Sequence, residues 1–487
     1  MSTTDWKVAL RPLGVPLIGE GVAIAACLVP SVHYHDGTTL AVALAALAPI
    51  LTGLLLLLLL PRTAYSGDNR ISYVTVTLMW VVMALFGALP FLFASRFAIG
   101  FVDAFFESLS GLTSTGDTVF ADVGLLPPSL LLWRSLSEWL GGFGIVLLVL
   151  AVVPRLGLNK YALYTAEASS ADNTGKTSTT MRAMVQHTLV VYLLLTVLFV
   201  ALLTLSGMTL WEATNLTFTN ISTGGFSIYA DSVARFTPLQ QYLLAAAMFV
   251  GGINFALLYN LMTFKWGRIR HKLDQFGFYV ALLAASTAFT VAALHYHDGR
   301  VWAESLRLGV VQTASVLTTT GSVVADTNLW WTPVLLLFLI LSFCGGMAGS
   351  TTGGIKVMRV LILLRSVRNT LTNRLHPHAY NPVRLNGKPV SEQMITNVMV
   401  IFIVFAVTIL MGLLLLMVCG VDATEALGAV FGCITSYGPG MGACGGFGSY
   451  AAFPAVAKLV CSALMLLGRL ECLTVFILFL PGFWQRR

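Results

Sequence analysis

Four short stretches of this 487-residue chain set hydroxyl side chains beside glycine, each between long apolar runs. They are Thr113-Ser114-Thr115-Gly116, followed by Asp117-Thr118; Ile221-Ser222-Thr223-Gly224, followed by Gly225; Thr318-Thr319-Thr320-Gly321, followed by Ser322; and Thr435-Ser436-Tyr437-Gly438, followed by Pro439-Gly440. Their residue types suit ion coordination rather than bond making. Glycine permits backbone conformations that turn successive carbonyls to one side, and carbonyl oxygens can replace the hydration shell of a cation. One such stretch alone is an ordinary helix-ending turn. Four in similar surroundings predict loops that meet on one axis and form a cation filter.

The elements that must hold those loops are membrane spans. Hydrophobic residues make up 57% of the chain, charged residues 10%, and mean hydropathy is +0.84, far too apolar for a soluble globule of this length. Ten apolar runs are long enough to cross a bilayer, near 12–30, 38–61, 71–95, 129–153, 183–206, 239–264, 274–295, 332–369 with an interruption, 393–419 and 454–481. The first is a retained span rather than a signal peptide, because its basic flank is weak and no small-residue cleavage site follows. Within each of the last four pairs, a segment too short and polar to cross carries one of the glycine loops. Short helices are expected at 102–112, 210–220, 303–317 and 423–434. The architecture is therefore an all-α polytopic membrane protein, with four pseudo-repeated units of span, pore helix, filter loop and span around a central pore, plus two extra N-terminal helices.

Charge sets the orientation. Of 28 basic residues, 21 fall at the termini or in the links 62–70, 155–182, 265–272 and 356–388, which places both termini in the cytoplasm and the glycine loops outside. That bias accounts for the net charge of +7 without a nucleic-acid partner. Acids such as Asp103, Glu107, Asp122, Glu212, Asp231, Glu304, Asp326 and Asp422 fall on the outer side and would form a negative funnel for cations. The seven cysteines lack Cys-x-x-Cys spacing and read as packing residues, and the histidines lack metal-ligand spacing. Gly440-x-Gly442-x-x-Gly445 fits a dinucleotide fingerprint without the strand it needs, so no nucleotide site is expected in this chain.

Two further features concern control. Gly345-Gly346-Met347-Ala348-Gly349-Ser350-Thr351-Thr352-Gly353-Gly354 interrupts one apolar run and cannot persist as a helix, since each glycine costs about 1 kcal/mol relative to alanine. Its backbone must find partners inside the protein. An intramembrane loop under the filter is expected, ending at Lys356. Arg469 lies deep in the last apolar run, where an arginine costs about 2.5 kcal/mol or more unless it faces water or a partner. It is read as facing the pore, with a pair to Glu471 as the alternative, while Arg134 and Glu138 are read as an i,i+4 pair.

Ser222-Thr223-Gly224-Gly225-Phe226, Tyr437-Gly438-Pro439-Gly440, the run from Cys344 to Lys356 and Gly468-Arg469-Leu470-Glu471 resemble the Trk/Ktr/HKT superfamily of potassium transporters over nearly the whole chain. The two extra N-terminal spans make it similar to the TrkH type. The resemblance implies potassium as the main permeant ion, a homodimer with one pore per subunit, and a cytosolic, nucleotide-binding regulatory subunit of the TrkA type. It also implies a gate built from Gly345, Gly346, Gly349, Ser350, Thr351, Thr352, Gly353, Gly354, Lys356 and Arg469, in a bacterial cytoplasmic (inner) membrane. No cofactor is expected. The units would run 1–66 for the N-terminal helix pair, then 67–157, 158–268, 269–372 with the gating loop, and 373–487. A symporter coupled to Na⁺ or H⁺, and a polytopic membrane enzyme, are the alternatives. Asp117 departs from the family pattern, in which a small residue commonly follows the first filter glycine. Its carboxylate either enriches cations at the outer mouth or is tied to a neighbouring unit.

Overall fold

The computed structural model describes residues 3–61, 69–94, 99–152, 179–264, 273–376 and 382–485. The basic links at 62–70, 155–182 and 265–272 lie wholly or mostly outside the described residues, as do the unit boundaries at 66/67, 157/158 and 268/269. Apart from a two-stranded hairpin, Arg384–Leu385 with Lys388–Pro389, the described regular structure is helical. Among the described residues, six helices are long and apolar enough to cross a membrane, or eight if each of two bent pairs counts as one span.

The four short helices run Phe101–Leu112, Leu210–Ile221, Trp302–Leu317 and Ala423–Thr435, each within a residue of expectation at either end. Their starts are legible in local chemistry. Thr209 and Glu212 close a reciprocal capping box on the second, and the Asp422 side chain accepts from Thr424 N on the fourth. Long spans flank them, among them Pro128–Val152, Thr179–Leu205, Leu273–Tyr296 and Glu392–Val418. Helices Gly14–Ala26 and Thr39–Leu59 lie backbone against backbone, where a Cβ on Gly53 would come within 2.6 Å of Gly14 O. Small residues permit such close approach, the usual basis of helix packing where lipid removes the hydrophobic drive.

Among the described residues three of the expected apolar runs divide at a sharp break, whereas the sequence indicates the glycine-rich one. Thr332–Cys344 and Val357–Leu375 flank the expected glycine-rich interruption. The run 239–264 also divides, into Pro238–Gly251 and Phe255–Met262, bent by 104° at Gly251-Gly252. Asn254 recaps the second piece by accepting from Leu257 N. The run 454–481 divides into Ala455–Arg469 and Leu473–Phe479, bent by 107°, with Glu471 and Cys472 both left-handed at φ 58° and 53°. Hydropathy alone reads through both breaks.

Candidate functional site

The four short helices end alike. In each, a residue one or two positions past the C-terminus turns left-handed: Ser114, Thr223, Thr319 and Ser436, at φ 53°, 55°, 51° and 54°. The next amide closes a wide turn onto the helix, Thr115 N to Ser110 O, Gly224 N to Thr219 O, Thr320 N to Ser315 O and Tyr437 N to Gly432 O. One residue on stands a glycine with φ between 83° and 90°: Gly116, Gly225, Gly321 and Gly438. This register corrects the second loop. The sequence pairs Gly224 with the other three glycines, but Gly225 takes their conformation and Gly224 occupies the place of Thr115, Thr320 and Tyr437. The left-handed residue sets the register, and the Gly-Gly pair disguises it.

These glycines close a ring. A Cβ on Gly116 would stand 2.2 Å from Gly224 O, one on Gly225 1.8 Å from Thr320 O, one on Gly321 2.3 Å from Tyr437 O, and one on Gly438 2.4 Å from Thr115 O. Each loop thus touches the equivalent carbonyl of the next, in the order first, second, third, fourth and back to the first. A side chain at any of the four would collide with backbone, which explains glycine at each corner. Hydroxyls of Thr113, Ser222, Thr318 and Thr435 all bond to the carbonyl four residues back, at 2.7 Å, and lock the helix ends. Ile221 completes the last turn of the second helix and is fully buried.

On one side of the ring lies a cavity touched by all four loops through Gly116, Gly225, Gly321 and Pro439, with Asp117, Arg134 and Cys444 also in its wall. Asp117 is 3% exposed and accepts from Cys433 Sγ at 3.2 Å. Arg134 pairs with Glu107 at 2.7 Å rather than with Glu138. Its guanidinium reaches across to the first short helix, donates to Ser227 O and lies 4.0 Å over the Phe226 ring. Glu138, one turn along, faces the second loop and accepts from Phe226 N at 3.1 Å. The remaining acids of the expected funnel are largely occupied. Asp122 and Asp326 cap short turns, and Asp103, Asp231 and Glu304 pair with Lys458, Arg235 and Arg300.

The opposite side of the ring carries the segment 345–356. Thr351 Oγ1 donates to Ile221 O at 3.1 Å and lies 3.2 Å from Thr223 Oγ1. Gly353 N donates to Thr319 Oγ1 at 2.7 Å, and Gly354 N to Thr435 O at 2.9 Å. The segment therefore fastens directly to the second, third and fourth loops. Gly345, Gly349 and Gly354 take φ 65°, 77° and 69°, and Gly346 N is satisfied by Thr352 Oγ1 at 3.1 Å. Ser350 bonds back to Met347 O, and the Lys356 amine donates to Thr352 O. Arg469 joins this segment to the helix Pro128–Val152: Nη1 donates to Thr351 O at 3.0 Å and Nη2 to Gly141 O at 2.7 Å. Glu471 pairs instead with Arg359, at 2.6 Å.

An all-α polytopic membrane protein whose helix-ending loops close a ring of backbone carbonyls, with a strapped segment on one side, is a membrane transport protein rather than an enzyme. The profile of the TrkH family, described as "Cation transport protein", matches residues 42–285 and 276–486, and the chain belongs to that family. It is 30% identical over 483 residues to the Trk system potassium uptake protein TrkH of Halomonas elongata, covering 99% of both chains. It is also 30% identical over 429 residues to TrkH of Salmonella typhimurium, covering 87% of this chain and 88% of that one. The crystal structure of the potassium transporter TrkH from Vibrio parahaemolyticus superposes with a TM-score of 0.89 at 27% identity, covering 99% of this chain and 100% of that one.

Proposed function

We propose that this chain takes up potassium through the ring formed by residues 113–116, 222–225, 318–321 and 435–438, four pseudo-repeated pore units acting as one selectivity filter. The observation that carries the reading is the closed sequence of glycine-to-carbonyl contacts, each between equivalent residues of adjacent loops. Four carbonyls arranged in such a ring replace water around a cation, and the helices behind them direct their negative ends toward it. The cavity beside Asp117 is the outer vestibule, both termini are cytoplasmic, and the host membrane is the bacterial inner membrane. Ions then move inward with the membrane potential, which supplies about 2.3 kcal/mol per charge per 100 mV.

The segment 345–356 with Arg469 is the gate. It occupies the cytoplasmic side of the ring and is fastened there by hydrogen bonds that a small displacement breaks together. The helix Val357–Leu375 leads from it to the basic cytoplasmic face, where a nucleotide-binding regulatory subunit of the TrkA type pulls. The assembly is a homodimer with one pore per subunit. Coupled symport is the weaker reading, because Asp117 and Glu471, the carboxylates that would carry a proton, are engaged with Cys433 and Arg359. Uptake of radioactive rubidium into proteoliposomes tests the function. Potassium competes far better than sodium if the proposal holds, and a lack of potassium competition sinks it.

A further inference from the structure

Immediately after three of the four ring glycines stands a residue that meets the pore helix of the preceding unit. Asp117 of the first unit meets Cys433 of the fourth. Phe226 of the second meets Gly111 of the first, where a Cβ would lie 3.3 Å from the phenyl edge. Ser322 of the third donates to Asn220 of the second at 2.9 Å. Cys433, Gly111 and Asn220 hold one equivalent place, three residues before the left-handed position of their own loop. At the remaining seam Pro439 lies against Gly321, where a Cβ would come within 2.9 Å of Pro439 Cδ. Around the ring, this position thus makes hydrogen bonds at two seams and apolar contacts at the other two, where polar ties come from elsewhere: Glu138 accepts from Phe226 N, and Gln312 Nε2 donates to Tyr437 OH at 3.4 Å.

From these two buried bonds at one equivalent position we infer that Asp117–Cys433 and Ser322–Asn220 are inter-loop ties that set the spacing of the carbonyl ring, which makes Asp117 and Cys433 positioning residues for ion discrimination. The inference rests on the filter reading above. Apolar packing fixes contact distance and tolerates sliding, whereas a buried hydrogen bond fixes direction as well. Asp117 and Cys433 are 3% and 0% exposed, so water does not readily substitute for either partner. The carboxylate of Asp117 thereby acts through Cys433 on the geometry of Gly116, its immediate neighbour, whose corner faces Gly224 O. A charge serving only to collect cations needs no donor from another unit.

Rubidium uptake by the full chain in proteoliposomes, with potassium and sodium as competitors, tests the ties. Cys433→Ala and Asp117→Ala lower the potassium-over-sodium competition ratio by about threefold or more, the scale of one hydrogen bond of modest net strength. Cys433→Ser, which restores a donor, and Asp117→Asn, which restores an acceptor, recover most of that ratio. Ser322→Ala, at the equivalent seam, lowers it independently and serves if either alanine variant fails to fold. The inference is overturned if monodisperse Cys433→Ala keeps the wild-type ratio, or if Asp117→Asn raises the half-saturating potassium concentration as much as Asp117→Ala, which marks a purely electrostatic role. Failure of potassium to compete in the wild type sinks the uptake reading itself, whereas normal competition with silent seam variants sinks only the ties.

Discussion

Replacing Gly225 by alanine probes the ring at its tightest corner. The backbone there has φ +85°, and a left-handed L-residue costs about 1–2 kcal/mol before any contact is counted. The new methyl would lie 1.8 Å from Thr320 O, and non-bonded carbon needs about 3.4 Å, so the seam between the second and third loops must open by about 1.5 Å. Thr320 O belongs to the ring, hence the movement displaces an oxygen of the proposed filter itself. A loss of potassium-over-sodium discrimination of about tenfold or more is expected, equivalent to about 1.4 kcal/mol. The assay is competition of potassium and sodium against rubidium uptake, with monodispersity in detergent as the folding check. Gly277→Ala is the control: a methyl on this helical glycine would meet nothing within 4 Å, so uptake is unchanged and stability rises by about 0.5–1 kcal/mol. Wild-type discrimination in a folded Gly225→Ala protein would refute both the corrected register and the closed ring.

Deleting 346–352 leaves the ring glycines in place but removes the strap, so basal uptake rises; unchanged uptake argues against a gate. Arg469→Ala releases the carbonyls of Thr351 and Gly141 and moves basal uptake in the same direction, and its effect vanishes in the deletion background because both changes break one network. Glu20 is 1% exposed on the first span and, among the described residues, neither carboxylate oxygen has a hydrogen-bond partner, so Glu20→Leu raises the thermal midpoint in detergent, corresponding to about 1–3 kcal/mol of relieved desolvation. A lower midpoint means the carboxyl is needed. Asp36, between the first two spans, is pushed up by partial burial, but hydrogen bonds from Ser129, Thr38 and Ser31 outweigh this and bring it down to about 2. Because its folded value lies below the unfolded value of about 3.9, its stabilisation is complete above that pH and disappears as pH falls from about 4 through 2. Asp36→Asn flattens that part of the midpoint-against-pH curve, and an unaltered curve contradicts the assignment.

Much of the scaffold was legible from local pattern. Apolar length marks spans, and short polar interruptions between them mark the four short helices, whose caps and glycine stops are neighbours in sequence. The break at 345–354 was equally plain, because five glycines in ten residues exclude a helix in any context. The breaks after Gly251 and Arg469 were not, since hydropathy does not change there and only the meeting of the second and fourth units with the ring requires a bend. Arg134 shows the limit of helical spacing. Glu138 is four residues away on the same helix, yet Glu107 takes the ion pair because the first short helix brings it alongside.

The amino-acid sequence by itself determined the chemistry of the four loops, their number and the helices that carry them, because each rests on residues in immediate succession. Tertiary structure decided which glycine of the second loop enters the ring, that Asp117 is tied to Cys433, and that Arg469 holds the segment 345–356 to the helix Pro128–Val152. Asp117 and Cys433 stand 316 positions apart in the chain. Their contact exists only because closing the ring places the first unit against the fourth, and no local propensity carries that information.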